Sequence, residues 1–94
     1  MTKSKIQEDI EIAARILHEA GAKEVFVFGS AARGTMKPES DLDLAVRGLP
    51  PELFYDTGGR VAIAISRSLD LVDLDEEGVF CRYLEEKGEL KRVA

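Results

Sequence analysis

The sequence is poor in the features that mark secreted and membrane proteins. Its 94 residues include one cysteine, Cys81, which cannot form a disulfide within the chain and so favours a reducing cytoplasm. No apolar run reaches the roughly 18 residues that a membrane-spanning helix needs. Residues 1–5 lead into an acid-rich amphipathic segment, which is not a secretory signal. We therefore expect a cytoplasmic protein without a membrane partner.

Basic residues are scarce relative to acidic ones. Thirteen Lys and Arg against 18 Asp and Glu give a formal net charge of -5. The chain therefore lacks the broad basic surface with which proteins displace counterions from nucleic acid, and nucleic acid is not expected as a direct ligand. The length and the 45% hydrophobic content are ordinary for one globular domain. We expect residues 1–94 to form a single domain.

Hydrophobic periodicity and turn residues divide the chain into alternating helices and strands. The predicted helices span residues 4–20, 51 or 52–68 and 76–87, and the predicted strands span 25–28, 41–46, 69–74 and, as a short edge strand, 89–94. Gly58 and Gly59 weaken the second helix by roughly 1 kcal/mol each relative to alanine, so they either break it or allow the close approach of a ligand or partner. The apolar residues of the last helix are expected to form its inner face: Val79, Phe80, Tyr83 and Leu84. The fold class we expect is α/β, a small mixed β-sheet packed by helices.

A turn of small residues, GSAARG at 29–34, follows the first apolar strand directly. Gly29 allows the backbone to approach a ligand closely. Ser30 offers a hydroxyl, and a short helix starting there has free N–H groups that favour an anion. Arg33 either neutralises phosphate charge or is a solvated helix residue. The turn therefore predicts a phosphate site, although a Gly-Ser pair alone is ordinary turn chemistry.

Two carboxylates, Asp41 and Asp43, stand one residue apart at the start of the second strand. Side chains alternate faces in a strand, so both point the same way. Carboxylates about 7 Å apart on one face repel each other unless a cation lies between them or water screens them. Mg²⁺ is usually held by one or two carboxylates together with substrate phosphates. The acid pair beside the turn predicts a divalent-metal site, although solvated edge strands often carry such pairs.

The two motifs together resemble the signature of a known superfamily. GSxxxG at 29–34 followed by SDxDL at 40–44 is similar to the signature of nucleotidyltransferases related to DNA polymerase beta, and the small size points to the minimal nucleotidyltransferase (MNT) branch. The resemblance extends from Val25 to about Leu74. It implies an NTP triphosphate on the Gly-Ser turn, two Mg²⁺ ions on the two motif aspartates, and a third carboxylate from a neighbouring strand.

The third predicted strand, 69–74, offers two candidates for that third carboxylate. Alternation places Asp70 and Asp73 on opposite faces, and strand spacing alone does not choose between them. The family pattern of an apolar residue followed by Asp-Leu-Val falls on Asp70. The resemblance thus implies catalytic and metal-binding roles for Asp41, Asp43 and Asp70, and nucleotide-binding roles for Gly29, Ser30 and Arg33.

The function implied by the resemblance is transfer of a nucleoside monophosphate, most simply AMP from ATP, to a hydroxyl group with the help of two Mg²⁺ ions. The sequence shows no second domain for the acceptor, so we expect the acceptor surface to come from another copy of the chain or from another protein. Stand-alone MNT proteins commonly pair with a helical HEPN protein, as antitoxin to an RNase toxin. Two alternatives remain: a binding module that neutralises or scaffolds a partner without catalysis, and an ATP-binding sensor domain.

Overall fold

The computed structural model describes residues 4–76, 78–86 and 90–94, and it confirms the α/β prediction. Helices and strands alternate along the chain. The helices are α1 (Lys5–Glu19), α2 (Gly29–Arg33), α3 (Phe54–Ile65) and α4 (Val79–Glu86), and the strands are β1 (Glu24–Val27), β2 (Leu42–Arg47), β3 (Leu69–Asp73) and β4 (Lys91–Arg92). No described helix is both long and apolar enough to cross a membrane.

The four described strands form one mixed sheet in the order β3-β2-β1-β4. β1 is antiparallel to both of its neighbours, whereas β2 and β3 are parallel. A parallel pair needs a long crossover connection, and α3 provides it between β2 and β3. The mixed sheet was predicted from the sequence, and its strand order places the two acid-bearing strands side by side.

The two faces of the sheet are covered differently. One face carries the main core, in which α1 and α3 pack on alternate residues of β1 and β2: Leu17, Val25, Val27, Leu42, Leu44, Val46, Val61 and Ile65 are all buried there. The other face holds a smaller cluster of Phe28, Ala45, Leu74 and Leu84. Because side chains alternate along a strand, Asp43 of β2 and Asp70 of β3 fall on this second, less covered face.

The helix predicted over 51 or 52–68 differs from the observed one at both ends. A 3₁₀ turn, Pro51–Leu53, precedes α3, and Ser66 ends the helix in the left-handed region with φ of +52°. The helix is continuous through Gly58 and Gly59, so the predicted possibility of a helix break there is wrong. A Cβ at Gly58 would stand 3.4 Å from Leu71 Cδ2, and the missing side chain therefore brings α3 close to β3.

The last predicted helix also differs from the structure. α4 begins at Val79 rather than at residue 76, and Leu84 is the one residue of the predicted inner face that is buried. Val79 is 88% exposed, and Phe80 and Tyr83 are each more than half exposed. The predicted inner face is therefore wrong for three of its four residues, because this short helix meets the sheet mainly through Leu84 and the Phe28 ring beside Phe80. The predicted edge strand is observed as the two residues of β4, and residues 87–89 lie outside the described part.

Candidate functional site

The turn after β1 lies directly against the second strand. Gly29 has a φ of +62°, and the Phe28 N–H donates to the Asp43 carbonyl oxygen at 3.1 Å. A Cβ added to Gly29 would collide with Asp43 Oδ2 and lie 3.4 Å from its Cγ. Only glycine therefore fits this position without strain or displacement, because it combines the left-handed conformation with the close approach.

The short helix α2 continues from this turn. Ser30 is half-buried, and its carbonyl accepts the N–H groups of Gly34 and Thr35 as the helix closes. Gly34 ends the helix with φ of +73°. Arg33 is exposed at the end of α2, and its positive charge favours the ionised form of Asp43. Gly29 and the charge of Arg33 thus both lie close to one carboxylate, that of Asp43, and Ser30 follows Gly29 directly in the chain.

The parallel register of β2 and β3 aligns two of the predicted carboxylates. Asp43 pairs with Asp70, so the two lie on the same face of neighbouring strands, about 4.8 Å apart along the hydrogen-bonding direction. Asp41 directly precedes β2 and lies two residues before Asp43, so strand alternation places it on the same face as Asp43. Asp41 and Asp70 are exposed, whereas Asp43 is partly buried between them and the turn.

Asp73 occupies a different environment from Asp70. It pairs in register with Val46, whose side chain is in the main core, and it is only 8% exposed. Its Oδ1 accepts the Asp75 N–H at 2.9 Å, and its carbonyl accepts a hydrogen bond from the Cys81 thiol. Asp73 therefore closes the turn after β3, while Asp70 stands beside Asp43.

The pKa of Asp43 is raised from its ordinary value of 3.8. Burial is the largest cause, followed by the charges of Asp70 and Asp41, and the Arg33 charge opposes the shift. The three carboxylates are thus close enough to repel one another at Asp43. A cation placed among them would relieve this repulsion.

The chemistry of this donor set fits Mg²⁺, a hard cation that takes carboxylate oxygens together with phosphate oxygens. Within residues 4–76, 78–86 and 90–94, however, no three His, Cys, Asp or Glu side chains already stand close enough to hold an ion by themselves. The acids alone would therefore supply only part of the coordination of such an ion.

One part of the arrangement was missed by the sequence analysis. Arg67 binds the buried carboxylate of Asp9 and two carbonyl groups of the loop that leads to Asp41. A signal was present, since Asp9 falls at helical spacing with Ala13 and Leu17 on the apolar stripe of α1. A charged residue on a buried stripe requires a partner.

A family model for the nucleotidyltransferase domain matches residues 10–93. The chain belongs to this family. The match covers the turn, the acid-bearing strands and the elements that support them. No curated protein is significantly similar to this nucleotidyltransferase domain in sequence.

Several solved structures are similar to this nucleotidyltransferase domain. A toxin-antitoxin complex with AMP-PNP is 26% identical with a TM-score of 0.70, and the match covers 87% of this chain and 69% of that one. A mutant of the toxin-antitoxin complex MntA-HpeT is 25% identical with a TM-score of 0.69, covering 90% and 71%. The tri-AMPylated Shewanella oneidensis HEPN toxin in complex with MNT antitoxin is 22% identical with a TM-score of 0.67, covering 93% and 70%, which shows a shared fold.

Proposed function

We propose that this nucleotidyltransferase domain transfers AMP from ATP to a hydroxyl group and releases pyrophosphate. The observation that carries the proposal is the register pair of Asp43 and Asp70, with Asp41 on the same side and the Gly29 turn against Asp43. Packing does not require this arrangement, because three exposed or partly exposed carboxylates on one face repel one another. A site for a metal-bound triphosphate accounts for the acids and for the turn together.

Different residues of the chain bind the phosphates of ATP and the metal ions. Gly29 and the first N–H groups of α2 hold the leaving phosphates, and Ser30 and Arg33 add a hydroxyl and a positive charge. Asp41 and Asp43 would hold two Mg²⁺ ions, with Asp70 completing the site. When bound, these ions stabilise the charge on the attacking and leaving oxygens.

The reaction makes one bond and breaks one bond at the α-phosphorus. The acceptor hydroxyl oxygen bonds to this phosphorus, the bond to the bridging oxygen of the β-phosphate breaks, and that oxygen keeps the electron pair as pyrophosphate leaves. Asp70 accepts the hydroxyl proton, because it is exposed and lies on β3, the edge strand of the sheet, beyond the two acids at β2.

The proposed acceptor is a helical HEPN-type protein, with this chain as its antitoxin. Support comes from the structural neighbours, which are toxin-antitoxin complexes, one with AMP-PNP and one with an AMPylated HEPN toxin. The acid set and the turn of this chain supply the groups that such a transfer needs.

The test uses ATP labelled at the α- or the γ-phosphate, the tagged chain and extract of its source cells with Mg²⁺. We expect the α-label, and not the γ-label, to appear on a captured helical protein, with AMP on a hydroxyl side chain by mass spectrometry. The double variant Asp41→Ala with Asp43→Ala should fold and transfer nothing. Asp73→Ala is the matched control, because it removes a carboxylate of β3 that faces away from the site.

Two outcomes would contradict the proposal. Labelling that survives loss of both Asp41 and Asp43 would show that the acids do not carry the transfer. A partner that binds the wild-type chain and the double variant equally, without label, would favour a binding module that neutralises its partner by contact.

A further inference from the structure

A buried ion pair joins the first helix to the turn between α3 and β3. Arg67 Nε donates to Asp9 Oδ2 at 3.1 Å, and the two side chains are 8% and 1% exposed. The more exposed Lys5 binds the other oxygen, with its Nζ 2.7 Å from Asp9 Oδ1. Both oxygens of the carboxylate are thus paired, so the charge is compensated although it lies in the protein interior.

The other end of the same guanidinium holds the loop that precedes β2. One nitrogen, Nη1, donates to the carbonyl oxygens of Pro38 and Ser40, both at 2.8 Å. The loop is closed on itself by the Lys37 N–H, which donates to Ser40 Oγ at 2.9 Å, and by the Ser40 N–H, which donates to the Lys37 carbonyl. Arg67 therefore binds a preformed turn rather than a loose segment.

This contact lies where both acid-bearing strands begin. Ser40 directly precedes Asp41, and Arg67 precedes Asp70 by three residues. Next to the guanidinium, the Leu42 N–H donates to the Ser68 carbonyl at 2.9 Å and starts the parallel pairing of β2 with β3. The contacts of Arg67 thus lie where the two strands that carry the acids enter the sheet.

We propose that Arg67 is a positioning residue, which holds the entry of β2 against the entry of β3 and thereby sets Asp41 and Asp43 opposite Asp70. The part of this inference that concerns the metal and nucleotide rests on the function proposed above. The part that concerns the loop does not, because it follows from hydrogen bonds within the chain.

The geometry requires arginine rather than any cation. The guanidinium uses Nε for Asp9 and Nη1 for the two carbonyl groups, so one planar group binds α1 and the loop before β2 at once. A lysine ammonium is a single point charge and would remain with the carboxylate, which is its stronger partner. Arg67→Lys therefore keeps the buried charge paired and removes the contacts to the loop.

The test compares Arg67→Lys with Arg47→Lys. Arg47, the last residue of β2, also joins two groups, since its guanidinium lies 3.5 Å from Glu24 and 3.1 Å from Glu85. Arg47 lies at the other end of β2 from the acids. Arg47→Lys therefore controls for the loss of a guanidinium that bridges two groups. Thermal unfolding of both variants checks that each is folded before any other measurement.

The first measurement is amide hydrogen exchange of the metal-free protein. Losing hydrogen bonds to a charged group makes local opening easier, so we expect Arg67→Lys to raise the exchange of the Ser40 and Leu42 amides about tenfold relative to amides of β1. Arg47→Lys should leave them as in the wild-type chain. The second measurement is Mn²⁺ binding by electron paramagnetic resonance with a non-hydrolysable ATP analogue present. We expect Arg67→Lys to weaken Mn²⁺ binding by about tenfold or more, because loss of a group that orients metal ligands lowers metal affinity by roughly 10–100-fold.

Each result decides a separate question. Unchanged exchange at Ser40 and Leu42 in a folded Arg67→Lys variant would overturn the proposal. Faster exchange with unchanged Mn²⁺ binding would also overturn it, since the loop would then move without effect on the acids. A wild-type chain that binds no Mn²⁺ would instead refute the proposed function, and the exchange measurement would still decide whether Arg67 holds the loop.

Discussion

Replacing Gly29 with alanine should damage both stability and nucleotide transfer. The backbone has φ of +62° there, and a left-handed conformation costs a residue with a Cβ roughly 1–2 kcal/mol. The new Cβ would also collide with Asp43 Oδ2. Turning that carboxylate away from its rotamer adds about 0.5–1.5 kcal/mol. For a domain of this size, each 1 kcal/mol lowers the Tm by roughly 4–8 °C.

Gly34→Ala separates these two effects. Gly34 has a similar φ of +73°, and a Cβ there would meet no atom within 4 Å. We therefore expect Gly34→Ala to lose about 1–2 kcal/mol and to keep Mn²⁺ and nucleotide binding. Gly29→Ala should lose more stability and most of its transfer activity. Chemical denaturation gives the free energies of unfolding, and the α-labelled ATP assay gives the activity per folded molecule.

The collision with Asp43 has its own test in a double-mutant cycle. In an Asp43→Ala background the oxygen that Cβ would meet is absent, so Gly29→Ala should there cost about as much as Gly34→Ala does. The reasoning is refuted if Gly29→Ala and Gly34→Ala have equal effects on transfer. It is also refuted if the stability cost of Gly29→Ala is the same with and without the Asp43 side chain.

Three further predictions concern the carboxylates. Asp43 binds its proton more tightly in the folded protein than in the unfolded chain, so its ionisation reduces stability as the pH rises above 3.8. Asp43→Asn should therefore raise the free energy of unfolding at neutral pH, and a gain that persists unchanged below pH 3.8 would contradict this cause. Asp70→Asn should abolish transfer with a stability change within about 0.5 kcal/mol, since Asp70 is exposed. Asp73→Ala should lose roughly 1 kcal/mol of stability, because it removes the hydrogen bond from the Asp75 N–H, and should retain transfer. If denaturation and labelling assays instead show that Asp73→Ala abolishes transfer and Asp70→Asn does not, Asp73 rather than Asp70 is the third acid of the site.

Local signals in the sequence predicted most elements well. The predicted first helix, for example, begins in the structure after Ser4, a preferred capping residue, whose Oγ accepts the Gln7 N–H at 3.1 Å. Predictions failed where a local pattern depends on what packs against it. The apolar stripe of α4 is largely exposed. The two glycines of α3 do not break the helix, and a Cβ at Gly58 would stand only 3.4 Å from Leu71 Cδ2 of β3.

The sequence by itself determined the chemistry of the candidate site: a glycine-serine turn after one strand, and two carboxylates on one face of the next. These are properties of residues close together in the chain, so side-chain alternation and turn preferences are sufficient to find them. Only the tertiary structure decided which acid of β3 stands beside Asp43, because both candidates fit the strand and the choice depends on its register with β2. The pairing of Asp9 with Arg67, 58 residues apart, likewise exists only once α1 and α3 pack together on one face of the sheet.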